Sequence, residues 1–330
     1  MAGSGTAHLR PAEERVLAVD DLVVEFPVAG GTVHAVSGLH LDLLPGETLG
    51  ILGESGCGKS SAGRALMQLP PPTSGSVRLG DVELTGLRSR AMRRARARMQ
   101  LVLQDPVSAL NPRRRVKDLV AEGLQIWGWG ERDRATFVDE LLSSVGLDPD
   151  SVRDRRPHEL SGGQCQRVCI ARSIAMDPDV LICDEPVSSL DVSVQAQILN
   201  LLEQARDRLG LSMVFIAHDV AVVKNISDRV LVMYLGKTCE VLPSETLEDA
   251  RHPYTRLLLA SLPTASDAEL TAAEVPVLTR AFELPSPIDP PSGCRFRTRC
   301  PLVTERCAAE EPQLREISAG HAVACHHVED

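Results

Sequence analysis

Residues 53–60 read Gly53-Glu54-Ser55-Gly56-Cys57-Gly58-Lys59-Ser60, which fits the phosphate-binding pattern G-x-x-x-x-G-K-[ST]. No other stretch constrains the fold as much. Residues 47–52 before it form a short apolar run of strand character. Residues 60–69 after it read as a helix, stopped by Pro70-Pro71-Pro72. Strand, loop and helix in that order are the context the motif requires. The glycines at 53, 56 and 58 let the backbone curl until several N–H groups face one anion, and the helix start adds its positive end. Lys59 supplies a cation to the terminal phosphates, and Ser60 offers a hydroxyl to Mg2+.

Four further signals follow in order. Residues 99–103 read as a strand ending at Gln104-Asp105-Pro106. Leu160-Ser161-Gly162-Gly163-Gln164 opens a helix over 162–175. Val180-Leu181-Ile182-Cys183 is a buried strand ending in Asp184-Glu185, and Ser189-Leu190-Asp191 comes soon after. Residues 213–217 form one more buried strand, followed by His218. Asp184 suits an outer-sphere Mg2+ ligand, and the Glu185 carboxylate can accept a hydrogen bond from an attacking water. A solvated acid at a strand end is the plainer reading of Glu185, but Pro186, Asp191 and His218 behind it count against that. Strands alternating with helices imply a largely parallel sheet covered by helices. Residues 116–145 carry a helical pattern of their own, and Val194, Ile198, Leu201 and Leu202 share one face of a later helix.

Composition narrows the class. A formal net charge of -10 disfavours nucleic acid as the main partner. No apolar run approaches the roughly 20 residues that span a bilayer, and the polar N-terminus lacks the apolar middle of a signal peptide. The chain therefore reads as cytosolic, and its nine cysteines as unsuited to structural disulfides. Residues 1–15 are expected to be disordered.

Together these motifs resemble those of the ABC-type ATPases. Residues 53–60 look like the Walker A loop, Gln104 like the Q-loop glutamine, and 160–164 like the signature. Residues 180–185 look like Walker B with its catalytic glutamate, 189–191 like the D-loop, and His218 like the switch histidine. The resemblance implies an α/β P-loop NTPase fold with a RecA-like core, an antiparallel β subdomain and a helical subdomain. It implies that two such units sandwich two ATP molecules head to tail. Glu185, His218 and Gln104 then fall in catalytic positions. Gly53, Glu54, Ser55, Gly56, Cys57, Gly58, Lys59, Ser60 and Ser61 bind ATP. Ser161, Gly162, Gly163, Gln164 and Asp191 complete the ATP site of a second subunit, and Ser60, Gln104 and Asp184 serve Mg2+. Phe26, ending the first strand, stands where the family places its adenine-stacking aromatic; a core phenylalanine is the alternative. The ATP-binding domain is expected over 16–261, with the helical subdomain over about 105–160, and a linker and C-terminal extension over 262–330.

Residues 104–106 and 108–113, the run 190–197, His252-Pro253-Tyr254-Thr255 and Gly293-Cys294-Arg295-Phe296 are similar to the dipeptide and oligopeptide permease ATPases. That branch implies an ATP-hydrolysing subunit on the cytoplasmic face of the cell membrane, powering import of di- or oligopeptides. Nickel or glutathione is the alternative cargo. Its implied partners are two integral-membrane permease subunits, a second ABC ATPase subunit (a paralogue or a second copy) and an external solute-binding protein. A soluble ABC ATPase acting on nucleic acid is the rival reading. It predicts two fused ATPase units, a long coiled coil or a basic surface, and none is visible in the sequence. Cys165 and Cys169 depart slightly from the usual pattern and read as helix-packing residues.

Cys294, Cys300, Cys307 and Cys325 are spaced C-x5-C-x6-C-x17-C. Thiolates suit iron–sulfur clusters or Zn2+, but the C-x2-4-C pair of zinc sites is missing. Cys300 precedes Pro301, like one ligand in bacterial ferredoxin runs. A [4Fe-4S] cluster is the leading reading, with Zn2+ and free thiols as alternatives. A small proline-rich tail has little core, so a metal would staple it. Because a proline-rich linker separates the tail from the phosphate loop in sequence, ATP binding is expected to survive loss of the cluster largely intact.

Overall fold

The computed structural model describes residues 5–128, 130–260 and 284–328. The strands are β1 (Leu17–Val28), β2 (Gly31–Leu43), β3 (Thr48–Leu52), β4 (Ser74–Leu79), β5 (Val82–Glu83), β6 (Met99–Val102), β7 (Val180–Asp184), β8 (Ser212–Ala217), β9 (Arg229–Tyr234), β10 (Lys237–Pro243), β11 (Arg315–Ser318) and β12 (His321–Val323). The α-helices are α1 (Lys59–Leu66), α2 (Ser89–Arg98), α3 (Pro106–Ala109), α4 (Val116–Val120), α5 (Glu122–Ile126), α6 (Glu131–Ser144), α7 (Pro149–Val152), α8 (Gly162–Ile174), α9 (Val192–Leu209), α10 (Val220–Ile226), α11 (Pro253–Leu259) and α12 (Glu305–Ala309). They fall into two compact units. The first comprises Met1–Asp42, Leu49–Thr85 and Ala217–Asp330; the second comprises Leu43–Thr48 and Gly86–Ile216.

The first unit holds two sheets. One has the order β2-β1-β4-β5, with β4 antiparallel to both β1 and β5. This is the expected antiparallel β subdomain. In the other, β3 runs parallel to β9, and β9, β10, β12 and β11 continue as antiparallel neighbours. Every residue of β3 and of β9 is buried, so β3 delivers the glycine loop from inside a packed core.

The second unit carries the parallel strands β6, β7 and β8, with Val102 opposite Cys183 and Cys183 opposite Phe215. β7 and β8 are buried throughout, as continuous apolar runs in a parallel sheet require. The helical pattern over 116–145 is realised as the three helices α4, α5 and α6. Gly128, at φ +81°, lies between α5 and α6, a conformation that suits glycine and ends a helix.

Two expectations about the ends of the chain are corrected. Residues 5–15 are not left loose: His8 is buried with its Nε2 bonded to the His40 carbonyl at 2.9 Å, and Arg10 pairs with Asp42 at 2.8 Å. The described part of the tail, 284–328, is not a satellite either. Its β12 pairs with β10, Glu240 opposite Val323 and Val241 opposite Ala322. Part of the expected linker, 262–283, lies outside the described residues.

Candidate nucleotide site

In the first unit, α1 starts at Lys59 directly after Gly58, which is left-handed at φ +104° and gives no side-chain cap. The start of the helix, with its positive end, faces the loop that the pattern assigns to an anion. A side chain at Gly58 would collide with the Ala35 carbonyl, and one at Gly53 with the Met233 carbonyl; the pattern needs glycine there because other backbone lies against the loop. Lys59 is buried, and its ammonium donates to the carbonyls of Gly53 at 2.7 Å and Glu54 at 2.9 Å. Ser55 and Gly56 are exposed at the loop tip, and Ser60 and Ser61 are half-buried on α1. Cys57 is buried, which pushes its thiol above the usual range despite nearby Lys59. Phe26 is half-buried near the end of β1. His218 is exposed immediately after β8, and Asp219 beside it caps α10 through bonds from Ala221 and Val222.

In the second unit, the carboxyl ends of β6 and β7 carry the other charged and amide groups. Asp184 closes β7 and is fully buried. Glu185 follows at φ +48°, a left-handed conformation uncommon for a non-glycine residue. Its N–H is tied to the Ile216 carbonyl at 3.0 Å. Gln104, beyond the end of β6, donates from Nε2 to Glu185 Oε2 at 3.1 Å. The pairing of β6 with β7 thus brings together two of the three predicted catalytic side chains.

The signature forms the start of α8. Ser161 caps it by accepting from Gln164 N–H at 3.3 Å, while the Gln164 side chain accepts from Ser161 N–H at 3.0 Å, a capping box. A Cβ on Gly163 would lie 2.8 Å from Val194 Cγ1, so the glycine lets α8 and α9 approach. Asp191 caps α9, accepting from Val194 N–H at 3.0 Å and Ser193 Oγ at 2.7 Å. The Ser193 and Val194 bonds hold its carboxyl below the usual range. Cys165 and Cys169 are buried, with thiols against the carbonyls of Pro157 and Pro106, as packing residues.

Two readings of the tail meet the structure here. Among the described residues, no group of three or more His, Cys, Asp or Glu that could hold a metal ion is found, so the expected [4Fe-4S] or Zn2+ site at Cys294, Cys300, Cys307 and Cys325 gains no support. Burial pushes the Cys294 thiol up to about 12 and the Cys300 thiol up to about 11, and the neighbouring tail cysteines add to both shifts. The tail is fastened by other means. His321 Nε2 meets buried Glu240 at 2.7 Å, and Arg295 bonds the Leu235 carbonyl and Ser37 Oγ.

Nor does the tail stand apart from the phosphate loop. Arg299 grips the Glu54 carboxylate with both guanidinium nitrogens, at 2.6 and 2.9 Å. Its guanidinium carbon also lies 5.8 Å from the Tyr234 ring centre and 5.9 Å from that of Phe296. Tyr254 Oη accepts from Glu54 N–H at 2.8 Å. Sequence reading misses Arg299 and Tyr254. Arg295, Arg297 and Arg299 alternate in one short run, and nothing local marks the one that reaches the loop.

Two families match this chain: residues 36–188 match the one described as ABC transporter, and residues 240–307 the oligopeptide/dipeptide transporter C-terminal region. The fold is similar to that of cbiO1 from Clostridium perfringens, part of the ABC transporter complex cbiONQ. That likeness has a TM-score of 0.63 at 29% identity, covering 75% of this chain and 96% of that one. The ATP-binding cassette MJ0796, in a dimeric post-hydrolysis state with ADP and Pi, shares the fold with a TM-score of 0.64 at 24% identity, over 69% of this chain and 98% of that one. These likenesses and the motif-bearing loops define an ABC-type ATP-binding fold. In sequence, the putative oligopeptide transport ATP-binding protein YkfD of Bacillus subtilis is 47% identical over 89% of this chain and 90% of its own length. The oligopeptide transport ATP-binding protein OppF of Escherichia coli is 45% identical over 95% and 96%. The chain belongs to the ATP-binding proteins of ABC transporters, in their oligopeptide/dipeptide branch. No helix among the described residues is long and apolar enough to cross a membrane.

Proposed function

We propose that this chain hydrolyses ATP to power the import of di- or oligopeptides through a membrane permease. The hydrogen bond between Gln104 and Glu185 carries the catalytic part of this reading. It fixes a carboxylate at a strand end, where it can orient a water toward a terminal phosphate and accept its proton. Lys59 is held ready by two loop carbonyls and exchanges them for phosphate oxygens. The start of α1 takes further phosphate charge. Phe26 offers a ring face to adenine. His218 orients the terminal phosphate, and Gln104 reports the state of the site to the helices that follow it.

The hydroxyl of Ser60, the amide of Gln104 and the carboxylate of Asp184 are oxygen donors of the kind Mg2+ takes. That ion would supply positive charge to the bridging and terminal phosphate oxygens. Ser161, Gly162, Gly163, Gln164 and Asp191 are read as completing the site of a second ATPase subunit, a second copy or a paralogue. Two permease subunits and an external solute-binding protein complete the complex, with this chain on the cytoplasmic face. The names of the relatives support peptides as the cargo.

Reconstitution tests the reading. Proteoliposomes holding the permease partners, with this chain and ATP on the same face, are expected to accumulate a labelled oligopeptide in the presence of the binding protein. Uptake that ignores ATP, or that persists without this chain, contradicts it.

A further inference from the structure

Glu54 is held at three points. Its N–H goes to Tyr254 Oη, its carbonyl receives Lys59 Nζ, and its carboxylate is gripped by Arg299. Lys59 and the loop belong to the family's phosphate site; Arg299 and Tyr254 come from outside the glycine motif. Both tyrosines of the chain, Tyr234 and Tyr254, pack with Phe296 into one cluster, with ring centres 4.7 to 5.4 Å apart. That cluster backs the Arg299 guanidinium, whose side chain is only 13% exposed against 27% for Glu54. Both tyrosines and one of the five phenylalanines of the chain stand behind this one ion pair.

The pair matters because of where its negative member sits. Glu54 is the second residue of a loop whose task is to receive a polyanion. An uncompensated carboxylate there would repel the triphosphate and invite Lys59 to pair with it. The two-pronged grip of Arg299 offsets that charge and fixes the peptide whose carbonyl holds Lys59. We infer that Arg299 is a positioning residue through which the C-terminal tail sets the ATP affinity of the phosphate loop. The inference rests on the ATPase reading above. It makes the tail a lever on nucleotide binding: whatever shifts residues 294–300 shifts the loop.

The test uses the full chain and an ATP analogue labelled on its ribose, followed by fluorescence anisotropy. Arg299→Ala is expected to weaken binding roughly fivefold to tenfold at low salt, the scale of a few partly screened charge interactions. Adding Glu54→Gln to Arg299→Ala should recover most of that loss, because the repelling charge is gone. The deficit of Arg299→Ala should also shrink at about 0.5 M salt, where the Debye length is about 4 Å. A purely structural arginine predicts neither recovery. If Arg299→Ala does not fold, Arg299→Lys and Arg299→Gln replace it, and the lysine form should bind several-fold tighter. Wild-type affinity in Arg299→Ala, a loss indifferent to both Glu54→Gln and salt, or equal binding by the lysine and glutamine forms would overturn the inference alone. Failure of the wild-type chain to bind the analogue would instead sink the ATPase reading.

Discussion

The amide of Gln104 and the carboxylate of Glu185 are joined at 3.1 Å across the ends of adjacent parallel strands. Glu185 is left-handed and only 9% exposed, so its carboxylate has little freedom to wander. Gln104→Ala removes the restraint and leaves nucleotide contacts elsewhere intact. Turnover of the assembled transporter is expected to fall about tenfold to a hundredfold, the range for one hydrogen bond to a charged group, and KM for Mg-ATP to rise as well, since the same amide is a proposed Mg2+ donor. A raised KM at unchanged turnover would place Gln104 in binding instead.

The missing side chain of Gly163 lets α8 lie close against α9. Gly163→Val puts new atoms against Val194, already 2.8 Å from a Cβ at that position. A loss of about 1–3 kcal/mol is expected from overpacking, read as a lowered urea midpoint. An unchanged midpoint would mean that the helices part at no cost.

Phe26 is half-buried near the end of β1. If adenine stacks on it, Phe26→Ala weakens ATP binding by about 1–3 kcal/mol. GTP should suffer alike, since stacking barely separates purines. Unchanged affinity for both nucleotides would end the stacking assignment.

Two buried histidines set the acid response of the first unit. Burial holds His8 and His252 neutral, each with a pKa lowered from 6.5 to about 4. His252 Nδ1 accepts from Tyr254 N–H at 3.1 Å, a bond that needs the neutral ring. Between pH 6.5 and about 4 the unfolded chain binds protons that the folded chain refuses. Stability is therefore whole above pH 6.5 and is lost as the pH falls toward 4, by up to about 1.4 kcal/mol per pH unit for each histidine. Urea midpoints across this range check it. His8→Asn should flatten the slope, and an unaltered slope would contradict the assignment.

What the sequence made legible follows from how local each signal is. The run of strand, glycine loop and helix lies within about twenty residues, and its chemistry reads directly from spacing. The apolar runs of β7 and β8 announce a buried parallel sheet in the same way. Contacts made across the chain leave no such trace. Arg299 reaches Glu54 from 245 residues away, and nothing near either residue forecasts it. Polarity misled at residues 5–15: Arg10 looks solvated, yet it pairs with fully buried Asp42, which also meets Arg229. The cysteine spacing suggested a metal staple, a reading the structure does not support, and it gave no sign of the strand pairing and arginine contacts that fasten the tail.

Glu185→Gln in the reconstituted transporter tests the central claim most directly, because it removes the base while keeping the size and the Gln104 contact. Phosphate release is expected to fall by about 10²–10⁴-fold, with Mg-ATP still bound and the nucleotide-bound dimer accumulating. Phosphate release at the wild-type rate would contradict the account.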